Sequence, residues 1–230
     1  MRCHSTLSLL ILSCCVVNAQ EKTKPVATEV ADDRSPQVLL IGDSISMGYT
    51  EPVRKLLQGK ATVVRIPANG GPTTRGLANI DKWLGDGRWD LIHFNWGIHD
   101  LKYMDSGQRQ VEPDAYEKNL RTLVKRLQQT KATLIWASTT PIPKGKLNPD
   151  RSFGDETEYN AIAAKIMQAE KIAINDLHGH MLPRFDELHR PRDLHFSPAG
   201  SEFLAQQVAE VIQQQVISSL RQRSDRRADS

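Results

Sequence analysis

From residue 16 onward the 230-residue chain contains no cysteine; its three cysteines, Cys3, Cys14 and Cys15, lie at the extreme N-terminus. The body therefore offers no thiol nucleophile, no cysteine metal site and no disulfide, and its core alone must hold it together. A bilayer-spanning run is lacking as well, because the apolar stretch from Leu7 to Val17 falls short of the roughly 20 residues a spanning helix needs. The body also lacks a charge excess. Of the formal +3, one charge is Arg2 and two come from the tail "RQRSDRRADS", so the middle of the chain is balanced and carries no electrostatic footprint for nucleic acid. Internal repeats, a Gly-x-Gly-x-x-Gly fingerprint and a P-loop lysine are missing, which argues against repeat arrays and against dinucleotide or phosphate-loop sites.

The residues present divide the chain into four. Residues 1–19 have a basic start, an apolar centre and a small residue at Ala19, the pattern of a cleaved export signal, so a periplasmic or secreted protein is expected. "ILSC" offers a rival, a lipoprotein signal with Cys14 as the lipid-bearing residue, against which Leu12 fits poorly. Residues 20–36 are polar and aperiodic and are expected to be a flexible spacer; residues 37–217 are the domain; residues 218–230 are expected to be a disordered charged tail.

Within the domain, strands and helices alternate. Strands are expected at "QVLLIG", "ATVVRI", "WDLIHFNW", "ATLIWAS" and "IAINDL". Helices are expected at "PVRKLLQGK", at "TRGLANIDKWLG" with Leu77, Ile80 and Leu84 on one face, at "PDAYEKNLRTLVKRLQQ", at "DETEYNAIAAKIMQAEK" and at "SPAGSEFLAQQVAEVIQQQV". "LHGHMLPRFDELH", with His178, His180 and His189, reads as surface helix and loop. Such alternation means an α/β domain with a mainly parallel sheet buried on both faces. Ligands bind at the carboxyl edge of such sheets. Ser44, residues 69–74, residues 97–100 and Thr139–Thr140 follow successive strands, so the polar, glycine-rich segments collect on that edge.

"GDS" at 42–44 has two readings. Asp43 and Ser44 form a turn or helix cap, or Ser44 is a nucleophile, which needs a base within hydrogen-bond reach and donors for the oxyanion. Among the histidines, His195 in "RDLHFSPAG" precedes the last helix and returns to the same edge, where it can approach Ser44.

"IGDSIS", "NGGPTTRG", "NWGIHD" and "DLHFSPAG" stand in this order along the chain. Together they resemble the four signature blocks of the SGNH (GDSL) hydrolase family, over about residues 37–217. The resemblance implies a three-layer α/β/α sandwich, flavodoxin-like, and a serine esterase needing no cofactor. It implies Ser44 as nucleophile and His195 as general base and then acid. It also implies the backbone N–H groups of Ser44 and Gly71 in the oxyanion hole, with Gly70 the alternative register. Two blocks depart from the family pattern. His99 stands where the family has an asparagine donor; it can donate an imidazole N–H or leave a weaker enzyme. Arg192 stands where the family has an Asp three residues before the histidine. That leaves Asp193 to orient His195, or else a backbone carbonyl, Asp186 or Glu187.

A short, acetyl-like acyl group is expected, because no long apolar stretch suggests a lipid-binding lid; an O-acetylated carbohydrate follows from the resemblance and from export. Asn95 and Trp96, beside the third block, are candidates for lining the substrate site. Trp83, Trp89 and Trp136 read as core or near-core. Lys144, Lys146 and Arg151, in the long loop after the fourth strand, are candidates for touching an anionic or sugar substrate. A metal site built on His93, His99 and Asp100, or on His178 and His180, fits no strong ligand spacing. The rival to an enzyme is a weak or inactive carbohydrate-binding member of the same fold.

Overall fold

Neighbouring residues in each central strand go to different cores, as a period of two requires. In β1 (Gln37–Ile41), Val38 and Leu40 face one core and Leu39 and Ile41 the other. β3 (Leu91–Phe94) and β4 (Thr133–Ala137) repeat the pattern, with Ile92, Phe94, Leu134 and Trp136 on one side and Leu91, Ile135 and Ala137 on the other. β2 (Thr62–Arg65) and β5 (Ala173–Asn175) close the edges. The order is β2-β1-β3-β4-β5 and every pairing is parallel. This is the doubly wound order, with its switch point at β1 and β3.

The structure is a computed structural model that describes Met1 and residues 34–228, with side chains as far as residue 218. The expected signal, its cleavage point, Cys14 and nearly all of the spacer lie outside the described residues. Arg34 pairs with Asp90 at 2.8 Å, just before β1.

Helices cover both faces. The apolar sides of α2 (Thr73–Leu84), α3 (Pro113–Gln128) and α4 (Asp155–Ala169) pack on one face. The other face takes α1 (Ser44–Leu56), the short α5 (Leu177–Met181) and α6 (Phe185–Leu188), and the long α7 (Pro198–Ala228). The architecture is thus the three-layer α/β/α sandwich. Two details differ from expectation. α1 starts at Ser44 rather than near Pro52, because Asp43 caps it; Pro52 sits within the helix. Leu77 is 37% exposed, and α2 buries Ile80, Trp83 and Leu84 instead. The helical backbone of α7 runs to Ala228, into the segment expected to be a tail.

Candidate active site

At the end of β1 the chain turns directly into α1. Asp43 is the N-cap, its Oδ1 accepting from the Ile45 N–H at 2.9 Å. Capping therefore falls to Asp43 and leaves the Ser44 hydroxyl uncommitted. Ser44 opens the helix, where its N–H has no intrahelical acceptor and the helix dipole favours negative charge. Its Oγ lies 2.7 Å from His195 Nε2, across 151 positions of sequence.

The loop that carries His195 is a tight antiparallel turn. His189 and Phe196 bridge, Arg190 N–H donates to His195 O at 2.8 Å, and Arg192 takes a left-handed φ of 59°. In an extended loop, Asp193 and His195 would stand apart along the chain. The turn folds Asp193 back so that its Oδ1 accepts from His195 Nδ1 at 2.7 Å and from the His195 backbone N–H at 3.2 Å. Of the alternatives, Glu187 is engaged by Arg184. Partial burial would raise the Asp193 pKa, but the hydrogen bonds from the His195 ring and backbone outweigh it and hold the carboxyl below its ordinary value. An Nδ1–H directed at this carboxylate leaves Nε2 as an acceptor facing the Ser44 hydroxyl.

Both N–H groups of the double glycine are engaged, one by backbone and one by a side chain. Gly70 N–H is spent on Gly42 O at 2.9 Å, and a Cβ there would meet that same oxygen at 2.8 Å. Gly71 takes φ +60°, and its N–H donates to Asn69 Oδ1 at 2.9 Å. Its use toward an oxyanion therefore requires Asn69 to share or release it. His99 borders the same cavity as Ser44 and His195. Burial lowers its pKa below the ordinary imidazole value; Asp43 opposes this, while Arg151, Lys102 and His195 reinforce it. His99 is therefore neutral at neutral pH, with one ring N–H to give. Gly97, two residues earlier, has φ +150°, and any Cβ there would collide with Thr139 Oγ1.

Arg65, at the end of β2, was not singled out by sequence reasoning. Its guanidinium donates to the carbonyls of Gly42, Asp43, Ile66 and Ala68 and to Ser46 Oγ, over 2.7–3.2 Å. It ties the turn before Ser44 to the loop leading to Gly71. The available signal was a cation ending an apolar strand on the ligand edge. Asp100 performs a similar task behind His99: its Oδ1 accepts from Thr73 N–H (2.8 Å) and Oγ1 (2.5 Å), fixing the start of α2. Burial raises the Asp100 pKa to about 7 against the lowering effect of these bonds.

Two candidate substrate residues are placed elsewhere. Trp96 is 1% exposed and belongs to the core beneath α2, so it lines no substrate surface. Asn95 turns its Nδ2 to Ala137 O at 2.8 Å, tying β3 to β4; it borders a neighbouring pocket of about 10 Å³, which shares Ile45 and Ile98 with the Ser44 cavity, and does not border that cavity itself. Strand alternation and the pull of a neighbouring carbonyl decide both. Trp83 and Trp136 are core as expected, and Trp89 is half-buried with its Nε1 donating to Leu84 O. Arg151 borders the Ser44 cavity, whereas Lys144 lies over Phe153 and Lys146 borders another groove. His93 is fully buried against Asn175, away from His99, and His178 contacts Glu156. Among the described residues, no three His, Cys, Asp or Glu side chains gather in a metal-binding group.

The cavity itself measures about 170 Å³. At about 30 Å³ per water-sized unit, it holds a small substituent rather than a long chain.

A family model described as GDSL-like lipase/acylhydrolase matches residues 40–203, well over half of the chain. An arylesterase of Vibrio mimicus is 27% identical over 116 residues, 46% of this chain. The matched stretch spans about half of that protein, 55% of its length. Among solved structures, a lipase/acylhydrolase from Enterococcus faecalis aligns with a TM-score of 0.67 at 23% identity, covering 78% of this chain and 96% of that one. The acetyl xylan esterase AlAXEase aligns at 0.66 and 19%, covering 76% and 99%. A catalytic mutant of Axe2, an acetylxylan esterase from Geobacillus stearothermophilus, aligns at 0.63 and 21%, covering 76% and 93%.

Proposed function

The chain belongs to the GDSL-like lipase/acylhydrolase family, and from that premise we propose that it hydrolyses short-chain carboxylic esters through a Ser44 acyl-enzyme. The observation that carries the reading is the contact chain from Ser44 Oγ through His195 to Asp193, with both links at 2.7 Å. Ser44 Oγ attacks the ester carbonyl carbon while its proton passes to His195 Nε2. The carbonyl electron pair moves to oxygen, where the Ser44 N–H, the start of α1 and the His99 N–H can meet it. Asp193 stabilises the imidazolium. Collapse of the intermediate breaks the bond to the alcohol oxygen, which takes the proton from Nε2 and departs. Water then attacks the acyl-enzyme with His195 again as base, releasing the acid and restoring Ser44.

Acetyl esters of carbohydrates are the substrates we favour. The small cavity supports a short acyl group, and two of the similar structures are esterases of acetyl xylan. The test is hydrolysis of 4-nitrophenyl acetate and butyrate, and acetate release from acetylated xylan, beside Ser44→Ala. Hydrolysis that favours acetate and disappears in the variant supports the proposal. Folded protein without Ser44-dependent turnover of any ester would return the binding-only reading, which the His99 replacement and the engaged Gly71 N–H would then explain. We further propose export, on the pattern of residues 1–19 alone; sequencing the mature N-terminus tests it, with Gln20 expected and an intact Met1 contradicting.

A further inference from the structure

The wall of the cavity carries a charge pattern that ester hydrolysis does not use. Three cations border it, Lys102, Arg151 and Arg192, against one carboxylate, Asp193, which His195 already engages. Among the described residues, no carboxylate forms an ion pair with any of the three. Arg151 is the notable one because it is 4% exposed. Its Nε donates to Ile98 O at 2.7 Å and its Nη1 to Pro149 O at 3.1 Å, which fix the plane of the guanidinium. Nη2 has no acceptor among the described residues. A buried cation without a counter-charge is costly. Consistent with that, burial pushes its pKa down to about 10, with Asp43 opposing. Asp43 acts on it through space only, since no ion pair joins the two and the Asp43 Oδ1 caps α1.

We propose that Arg151, with Lys102 and Arg192 at the rim, is a subsite for a carboxylate carried by the substrate. The proposal rests on the esterase reading of the same cavity and names the chemistry of its substrate. A guanidinium with two bonds fixed and one nitrogen open gives a directed donor, and the two flexible cations add attraction across the rim. Being partly desolvated, the pairing escapes much of the screening that weakens surface ion pairs. The carboxylate can belong to the acyl part, as in a dicarboxylic hemiester, or to the alcohol part, as in an acetylated uronic acid.

Two matched substrate pairs separate these sources. The acyl pair is 4-nitrophenyl hemisuccinate against its methyl ester; the alcohol pair is acetylated methyl galacturonoside against acetylated methyl galactoside. The readout is the charged-to-neutral ratio of kcat/KM. One pair is expected to favour the carboxylate by about ten-fold or more, the worth of one charge-assisted hydrogen bond. The ratio should shrink at high salt and fall several-fold in Lys102→Gln and in Arg151→Lys, the latter checked for folding by thermal melting. A merely structural Arg151 would lower both rates and leave the ratio alone. Ratios of one or below for both pairs, or ratios unmoved in both variants, would overturn the subsite while leaving Ser44-dependent hydrolysis of neutral esters intact. If no ester is turned over, calorimetric titration of monomethyl succinate and methyl galacturonoside decides: binding that Lys102→Glu weakens supports the subsite, and no binding overturns it.

Discussion

Replacing Asp193 probes how the imidazole is held. The carboxylate and the ring are both half-exposed, with side-chain accessibilities of 38% and 40%. At a charge separation of about 4 Å, the attraction between carboxylate and imidazolium is about 1 kcal/mol in water and about 4 kcal/mol at an effective dielectric of 20. Half-exposure puts the pair between these limits, at about 2 kcal/mol, which is roughly 30-fold in rate. Asp193→Ala should therefore lower kcat/KM for 4-nitrophenyl acetate by about 10–100-fold. Asp193→Asn should be worse than Asp193→Ala. An amide that presents its N–H to Nδ1 places the ring proton on Nε2, where it can no longer accept from Ser44. The assay is initial-rate kinetics from mildly acid to alkaline pH, with folding monitored by melting. Full activity in both variants, or Asn matching wild type, would refute the reasoning.

His99→Ala should lower kcat by about 10²-fold, the worth of one oxyanion donor, whereas His99→Asn should stay within about ten-fold of wild type; equal losses in both, read from steady-state kcat, would remove His99 from that role. Arg65→Met should destabilise the fold by a few kcal/mol, at about 1 kcal/mol for each lost bond to a partly buried carbonyl, and lower kcat more than it raises KM; unchanged melting and kcat would contradict its clamping role. Asp100 holds its proton to about pH 7 in the fold and to about 3.8 in the unfolded chain, so its contribution to stability declines as pH rises between those values. Asp100→Asn should accordingly lose less stability than wild type over that window in chemical denaturation, and parallel pH profiles would contradict the buried carboxyl.

The alternation of strands and helices was readable because nearly every strand is a short apolar run between turn residues, and Leu120, Leu123, Val124 and Leu127 mark α3 without ambiguity. The start of α1 was not readable in the same way. Its first turn, "SISMG", is weakly periodic, and Pro52 looks like a beginning although the Asp43 cap begins the helix eight residues earlier. The sequence brought Ser44 and His195 to one edge, but it could not say which carboxylate meets the ring. That depends on Arg192 adopting φ 59°, which no residue type in the loop demands. Asn95 and Trp96 were misplaced for a related reason: residues just past a strand keep its alternation, and here it points one into the core and ties the other to β4. Arg65 does its work through backbone carbonyls, which leave no mark in a side-chain motif, whereas the place of Arg151 in the long loop was enough to make it a candidate.

Covalent capture of the nucleophile tests the account most directly. After treatment with a fluorophosphonate, intact mass and peptide mapping should find one adduct per chain, on Ser44, abolished in Ser44→Ala and slowed in His195→Ala. An active protein that takes no label, or takes it on another residue while Ser44 stays free, would contradict it.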